Sequence, residues 1–302
     1  MVRTLDYSIV DVFAERAFEG NALAVFHDAR GLSDEEMQTL ARETNLSETT
    51  FVFPGDAETE QREGVRVRIF TTQEELPFAG HPTLGTATWL YLHHPLLKGS
   101  EAITLRLNVG KIGVRFDAQR EGAAGVRATM TQRDPVFGAV HDRAEIARAI
   151  ALSVADLSAE YLPQTVSTGV PFCIVLLRSL DASRRMQLVQ QEAQAWSAKN
   201  DAQFFYCIAA LEKEGEGADW HARMQFYSGE DPATGSAAGC CISWLVKTGL
   251  VGSGVEVVIE QGIEIQRPSR ITVRASMEGE RVHTVEVSGR TICVAEGRFF
   301  LP

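Results

Sequence analysis

Three polar residues stand where acid–base chemistry could be carried: Glu48 in "NLSETTFVF", His81 in "FAGHPTLG" and Asp231 in "GEDPATGSAAG". A carboxylate beside apolar strand residues can have its pKa raised, which suits a group that takes and returns a proton near neutral pH. Each residue also has an ordinary reading. Glu48 fits an exposed loop carboxylate, His81 a helix N-cap, and Asp231 a turn former. Their attachment to two glycine-containing turns, each running into an apolar helical segment, is what singles them out.

A glycine-rich turn at a helix start is often a phosphate cradle, but the spacing here argues against one. The P-loop has four residues between its glycines and then Lys and Ser/Thr. Gly229 and Gly235 are separated by five residues, no lysine follows, and Glu230 and Asp231 would repel a polyphosphate. A small ligand with a single carboxylate fits better. Other chemistries are weakly supported. His93 and His94 are adjacent, and neither HExxH nor a carboxylate cluster at ligand spacing is present, so no metal is expected. Ser236 lacks a GxSxG elbow, and Cys240 and Cys241 lie several residues inside their helix.

The elements that must position these residues alternate strand and helix patterns. "YSIVDVF" (7–13) and "NALAVF" (21–26) read as strands around a turn containing Gly20. Ser33 and Glu36 make a capping box for the helix "SDEEMQTLARETN". Strands follow at 49–53 and 65–71, then a helix at 81–94 opened by Pro82, then the β-rich pieces "AITLRLNV", "IGVRF" and "VRATMTQ". In the second half, a helix near 142–151 precedes a strand in 167–177. A long polar helix over 181–199, strands at 203–211 and 221–227, a helix to Lys247 and a β-rich tail complete the chain.

The halves repeat. Residues 68–90, "RIFTTQEELPFAGHPTLGTATWL", align without gaps with 223–245, "RMQFYSGEDPATGSAAGCCISWL". Arg68 meets Arg223, Glu75 meets Glu230, Pro77 meets Pro232, Gly80 meets Gly235 and Trp89 meets Trp244. The alternative is two unrelated strand–turn–helix units of similar composition. If the repeat is real, two equivalent turns each open a helix with unpaired N–H groups and the positive end of a dipole. Two such starts facing one cleft would hold a carboxylate without net positive charge on the protein.

Composition is consistent with an ordinary globular protein. At 302 residues the chain can form two medium domains, and its net charge of −11 argues against nucleic acid or an anionic membrane as partner. No stretch has the length of a transmembrane helix, and "MVRTLDYSIVDVF" has no signal-peptide core. The five scattered cysteines read as small buried hydrophobes in a reducing, cytoplasmic setting.

"VDVFAERAFEGNALAVF", "LARETNLSETTFVFP", "ELPFAGHPTLGTA" and "GEDPATGSAAG", in this order through nearly the whole chain, resemble the phenazine-biosynthesis isomerase (PhzF-like) family. The resemblance implies an α+β fold of two pseudo-symmetric diaminopimelate-epimerase-like domains. Each is a barrel-like β-sheet around a central helix, with the active site between them. The domains are expected at 1–124, completed by 288–302, and at 125–287. The resemblance makes Glu48 the acid/base and puts His81 and Asp231 in the catalytic set. Ser47, Gly80, Gly235 and Ser236 become substrate-binding positions. It implies isomerisation of the kind the family's best characterised member performs on trans-2,3-dihydro-3-hydroxyanthranilate, with no cofactor or metal, by a soluble and often homodimeric enzyme. Diaminopimelate epimerases use a cysteine from each half; neither turn here contains one, which argues against a cysteine-pair racemase. Thr72 departs from the proline many relatives carry. Two further readings fit the same residues: a binding protein without turnover on the same fold, and an amino-acid racemase or epimerase using Glu48 opposite Asp231 or His81.

Overall fold

The computed structural model describes residues 2–118, 124–212, 215, 217–226 and 229–301. The chain divides into two compact units, one of residues 1–131 and 288–302, the other of 132–287.

The first unit contains β1 (Arg3–Val12), β2 (Asn21–Phe26), α1 (Asp34–Thr44), β3 (Glu48–Phe53), α2 (Ala57–Glu63), β4 (Val65–Phe70), β5 (Glu75–Leu76), α3 (Gly80–His93), β6 (Ala102–Leu107), β7 (Gly110–Phe116) and β8 (Val126–Thr131). The second contains β9 (Val136–Val140), α4 (Arg143–Ala149), β10 (Gln164–Ser167), β11 (Pro171–Leu176), α5 (Leu180–Arg185), α6 (Gln190–Ser197), β12 (Phe204–Ala210), β13 (Trp220–Arg223), β14 (Gln225–Phe226), β15 (Gly229–Glu230), α7 (Gly235–Lys247), β16 (Val257–Gln261) and β17 (Ser269–Glu278). The last strand, β18 (Arg281–Leu301), starts in the second unit and ends in the first.

In the first unit the strand order is β1-β2-β3-β4-β6-β7-β8-β18, and β18 pairs again with β1, closing a barrel. Closure leaves no open edge and encloses α3, which is apolar on all sides and buried from Gly80 to Leu90. Gly85 is the point of closest approach. A Cβ there would meet the side chains of Leu23 and Val12 at 2.7 and 2.8 Å, so only glycine lets the helix sit this close to β1 and β2. The second unit has the order β18-β17-β16-β13-β12-β11-β10-β9, with α7 packed on β10, β11 and β17 and buried from Gly235 to Val246. This is the α+β architecture of barrel-like sheets around central helices that the sequence led us to expect.

The internal repeat is written in the strand pairing. In the first unit β2–β3 is parallel, β3–β4 antiparallel, β4–β6 parallel and β6–β7 antiparallel. In the second, β11–β12 is parallel, β12–β13 antiparallel, β13–β16 parallel and β16–β17 antiparallel. The helices α3 and α7 occupy the same place in the two series. Composition alone does not reproduce an ordered sequence of pairings.

Three expectations need adjusting. Residues 126–131 form β8, hydrogen-bonded to β7, so the first unit extends past the boundary placed at 124. The polar stretch 181–199 is not one helix but two, α5 and α6. The buried Arg223 guanidinium donates to the carbonyls of Ser183 (2.6 Å) and Met186 (3.2 Å), drawing off acceptors that a continuous helix would use, and Met186 turns into the core. The strand drawn over 221–227 stops at Arg223 and resumes as the short β14; Tyr227 lies outside the described residues. The capping box of Ser33 and Glu36 forms as expected at the start of α1.

Candidate active site

The first unit brings Glu48 and His81 together. Asn45 ends α1 in a left-handed conformation (φ 51°), which turns the chain so that half-buried Ser47 and Glu48 open β3. β3 runs parallel to β2, with Glu48 opposite Leu23. Asn21, two residues before Leu23, therefore stands at the same end of the neighbouring strand. The start of α3 fills the third side. His81 is the second residue of that helix and not its cap: the N-cap is Ala79, whose side chain cannot accept a hydrogen bond. The N-cap reading of His81 thus fails by two positions.

The geometry fixes the state of the imidazole. His81 is 3% exposed, and burial pushes its pKa down to about 3, so the ring is neutral. The Asn21 amide Nδ2 lies 3.3 Å from His81 Nδ1 and donates to it, which leaves the ring proton on Nε2. Nε2 faces Glu48 Oε2 at 3.5 Å, longer than a formed hydrogen bond, and has no other partner among the described residues. Glu48 keeps 16% of its side chain accessible, against 4% for His81. A carboxylate at a partly open position, backed by a neutral N–H donor, can accept a proton and give it back. Two ligand atoms are too few for a protein-held catalytic metal, and neither residue belongs to a larger group of metal-ligating side chains among the described residues.

In the second unit, Asp231 is 7% exposed and accepts from the Thr234 hydroxyl at 2.6 Å. Thr234 is the N-cap of α7, but with its hydroxyl committed to Asp231 it does not cap the helix. Gln261 locks this turn from β16. Its amide donates to the Asp231 carbonyl (2.7 Å) and the Thr234 hydroxyl (2.9 Å), while its Oε1 accepts from the Thr234 N–H (3.2 Å) and the Tyr206 hydroxyl (3.1 Å). Both central helices therefore begin without a side-chain cap, at Gly80 and at Gly235–Ser236, and Ser236 is buried. Asp231 shapes the turn, as one sequence reading held.

Each turn is also tied to its strand by the same ion pair. Arg68 on β4 binds Glu75 through two bonds, Nε–Oε1 at 2.7 Å and a second at 2.5 Å. Arg223 on β13 binds Glu230 in the same way, at 2.8 and 2.6 Å. The alignment paired these residues without assigning them a role; a bidentate clamp from strand to turn is that role.

The sequence reading missed Asn21. The signal was available, an asparagine opening an apolar strand in "FEGNALAVF", but its burial and its contact to residue 81 are tertiary facts. The cysteines of α7 are unsuited to proton abstraction: burial pushes Cys240 up to about 11 and Cys241 higher still.

The profile of the phenazine biosynthesis-like protein family matches residues 10–297. Trans-2,3-dihydro-3-hydroxyanthranilate isomerase of Pseudomonas chlororaphis is 36% identical over 305 aligned positions, covering 98% of this chain and 99% of that protein. The crystal structure of a Bacillus anthracis phenazine biosynthesis protein of the PhzF family superposes with a TM-score of 0.85 at 26% identity, covering 98% of this chain and 99% of that one. A Pseudomonas aeruginosa protein described as a predicted epimerase gives 0.82 at 37% identity, with the same coverage. With a profile match across nearly its whole length, this chain belongs to the phenazine biosynthesis-like protein family, and it is an isomerase of that family.

Proposed function

We propose that this isomerase shifts a proton along a small, conjugated, carboxylate-bearing substrate, with Glu48 as the proton carrier and no cofactor or metal in the step. The observation that carries the reading is the Glu48–His81 pair, with His81 buried, neutral and held by Asn21. The Glu48 carboxylate takes a proton from a substrate carbon, and the electron pair left behind moves into the conjugated system. The same carboxyl group returns the proton at a distant carbon, so the substrate is isomerised and Glu48 regenerated. His81 Nε2–H turns toward Glu48 or toward charge developing on the substrate, as a neutral donor. The uncapped start of α3 at Gly80, with Ser47 next to Glu48 in the chain, offers donors for the carboxylate.

The curated relative's reaction supplies the probe. With trans-2,3-dihydro-3-hydroxyanthranilate, or an active compound found by metabolite screening, Glu48→Gln is expected to lower turnover by roughly 10²-fold or more while leaving the fold intact. Undiminished turnover in a folded Glu48→Gln protein removes Glu48 from the mechanism. Turnover in deuterated water separates a carried proton, with little solvent label in the product, from one exchanged with solvent.

A further inference from the structure

The far end of α3 carries a second group of reactive side chains, and the strand register explains how it forms. Ser8 on β1 is fully buried, and Trp89 Nε1 of α3 donates to its hydroxyl at 3.1 Å, so Ser8 points toward the helix. Val10, two residues along, points the same way; a Cβ on Gly85 of α3 would meet it at 3.2 Å. Glu296 of β18 pairs with Ser8, and Cys293 pairs with Val10. Residues three apart on a regular strand point to opposite faces. Here a β-bulge intervenes: Ile9 pairs with Ala295 and Val10 with Cys293, leaving Val294 as the extra residue. The bulge rotates the strand so that Cys293 and Glu296 share the helix-facing side. His93, in the last turn of α3, completes the set. Its ring stacks on Trp89 at 5.5 Å between centroids, which limits its rotation.

One imidazole nitrogen, the Cys293 sulfur and one Glu296 carboxylate oxygen lie within 4.8 Å of one another. We propose that His93, Cys293 and Glu296 form a binding site for a borderline-soft divalent transition-metal ion of the Zn²⁺ type. Nitrogen, sulfur and oxygen donors together match Zn²⁺ and its neighbours and disfavour Mg²⁺ or Ca²⁺, which take oxygen ligands. Three protein donors leave the fourth tetrahedral position to water. Cys293 and Glu296 are about two hundred residues from His93 in sequence, so an ion here ties the last turn of α3 to the closing strand of the first barrel. On binding, the Cys293 thiol gives its proton to solvent and ligates as thiolate. A 14-residue helix separates this site from Gly80 and His81, so the ion acts as a structural clip and not in the proton transfer.

The test uses the purified full-length chain, stripped with a chelator and titrated with Co²⁺ alone and with Zn²⁺ alone. Expected are one equivalent of Co²⁺ with a thiolate-to-metal charge-transfer band, displacement by Zn²⁺, and a melting temperature that rises with Zn²⁺ concentration. Cys293→Ser abolishes the band, and His93→Ala weakens binding by more than about 10-fold, a loss at least as large as that from supporting residues around metal sites. His93 is exposed and Cys293 half-buried, so both variants are expected to fold; their metal-free melting curves check this. Absence of saturable one-to-one binding overturns the proposal. So does binding of unchanged strength in both variants, which would place the ion elsewhere. Mg²⁺ binding as tightly as Zn²⁺ would overturn the assignment of metal class.

Discussion

The turns that open α3 and α7 are two versions of one device, and they have been put to different uses. Both follow a strand carrying an arginine, both clamp that arginine with a glutamate, and both deliver an uncapped, glycine-started helix into a barrel-like sheet. The differences lie in the side chains around these helix starts. His81 in the first unit corresponds to Ser236 in the second. Glu48 corresponds to Gln203, an exposed residue just outside β12. Asp231 and Thr234 correspond to Leu76 and Ala79. The first unit thus sets a carboxylate beside a buried imidazole, and the second has a rigid polar turn. A duplicated scaffold preserves the backbone geometry of the helix start, while single substitutions around it change the side chains presented there.

The largest effect that can break this comparison is on rate. Glu48→Gln is expected to cost roughly 10²-fold or more, whereas Gln203→Ala, at the equivalent place, is expected to leave turnover within about twofold. Equal losses would mean that the halves share the catalytic work and that the division drawn above is wrong.

The next effect is on stability. The Arg223–Glu230 clamp is nearly inaccessible, with side chains 6% and 7% exposed, and burial opposes the arginine's charge while Glu230 sustains it. The Arg68–Glu75 clamp is more open, at 18% and 23%, and Asp34 also binds Arg68. Glu230→Gln removes the bidentate carboxylate from a buried guanidinium, leaving Glu264 at 3.8 Å and backbone carbonyls, and should cost about 3 kcal/mol. Glu75→Gln leaves Arg68 with Asp34 and some solvent and should cost about 1 kcal/mol. Urea melts of the two variants measure this; an equal cost would show that burial does not separate the clamps.

A smaller contrast concerns the buried histidines. His81 is held neutral with a pKa near 3, whereas His221 is held charged. Burial lowers the His221 pKa, but Glu260 at 2.9 Å and Glu264 at 3.0 Å outweigh it and raise it to about 9. The signs differ accordingly. The His221 contribution is complete below the unfolded value of 6.5 and is lost as pH rises through about 9. The His81 contribution is present above 6.5 and is lost as pH falls toward about 3. The stability gap between the parent chain and His221→Gln should therefore be wide at pH 6 and narrow above pH 9, at most about 1.4 kcal/mol per pH unit. A gap independent of pH would mean that His221 is not charged in the fold.

Much of this could be read before any coordinates. Glycine-containing turns running into apolar segments located the central helices, Ser33 and Glu36 marked a helix start, and the aligned halves announced a duplicated unit. Local patterns failed where a distant group intervened. Nothing in residues 181–199 shows that Arg223 will take the carbonyls in their midst and split the helix. Likewise the histidines at 93 and 94 looked chemically idle, because the cysteine and glutamate that approach His93 arrive on a strand from the other end of the chain, through a bulge that strand propensity does not encode.

What the sequence determined by itself was the inventory: two glycine-started helices, one "SET" glutamate, one "GHP" histidine, and two arginine–glutamate pairs in matching positions. These depend on local propensity and repetition, which a linear pattern preserves. Tertiary structure alone decided which atoms meet. It put Asn21 against His81 and so selected the imidazole tautomer, buried one histidine as neutral and another as charged, and turned the Asp231 carboxylate onto Thr234. Tautomer, charge state and cap are set by distances of about 3 Å between residues far apart in the chain, and only the closed sheet pairings bring those residues together.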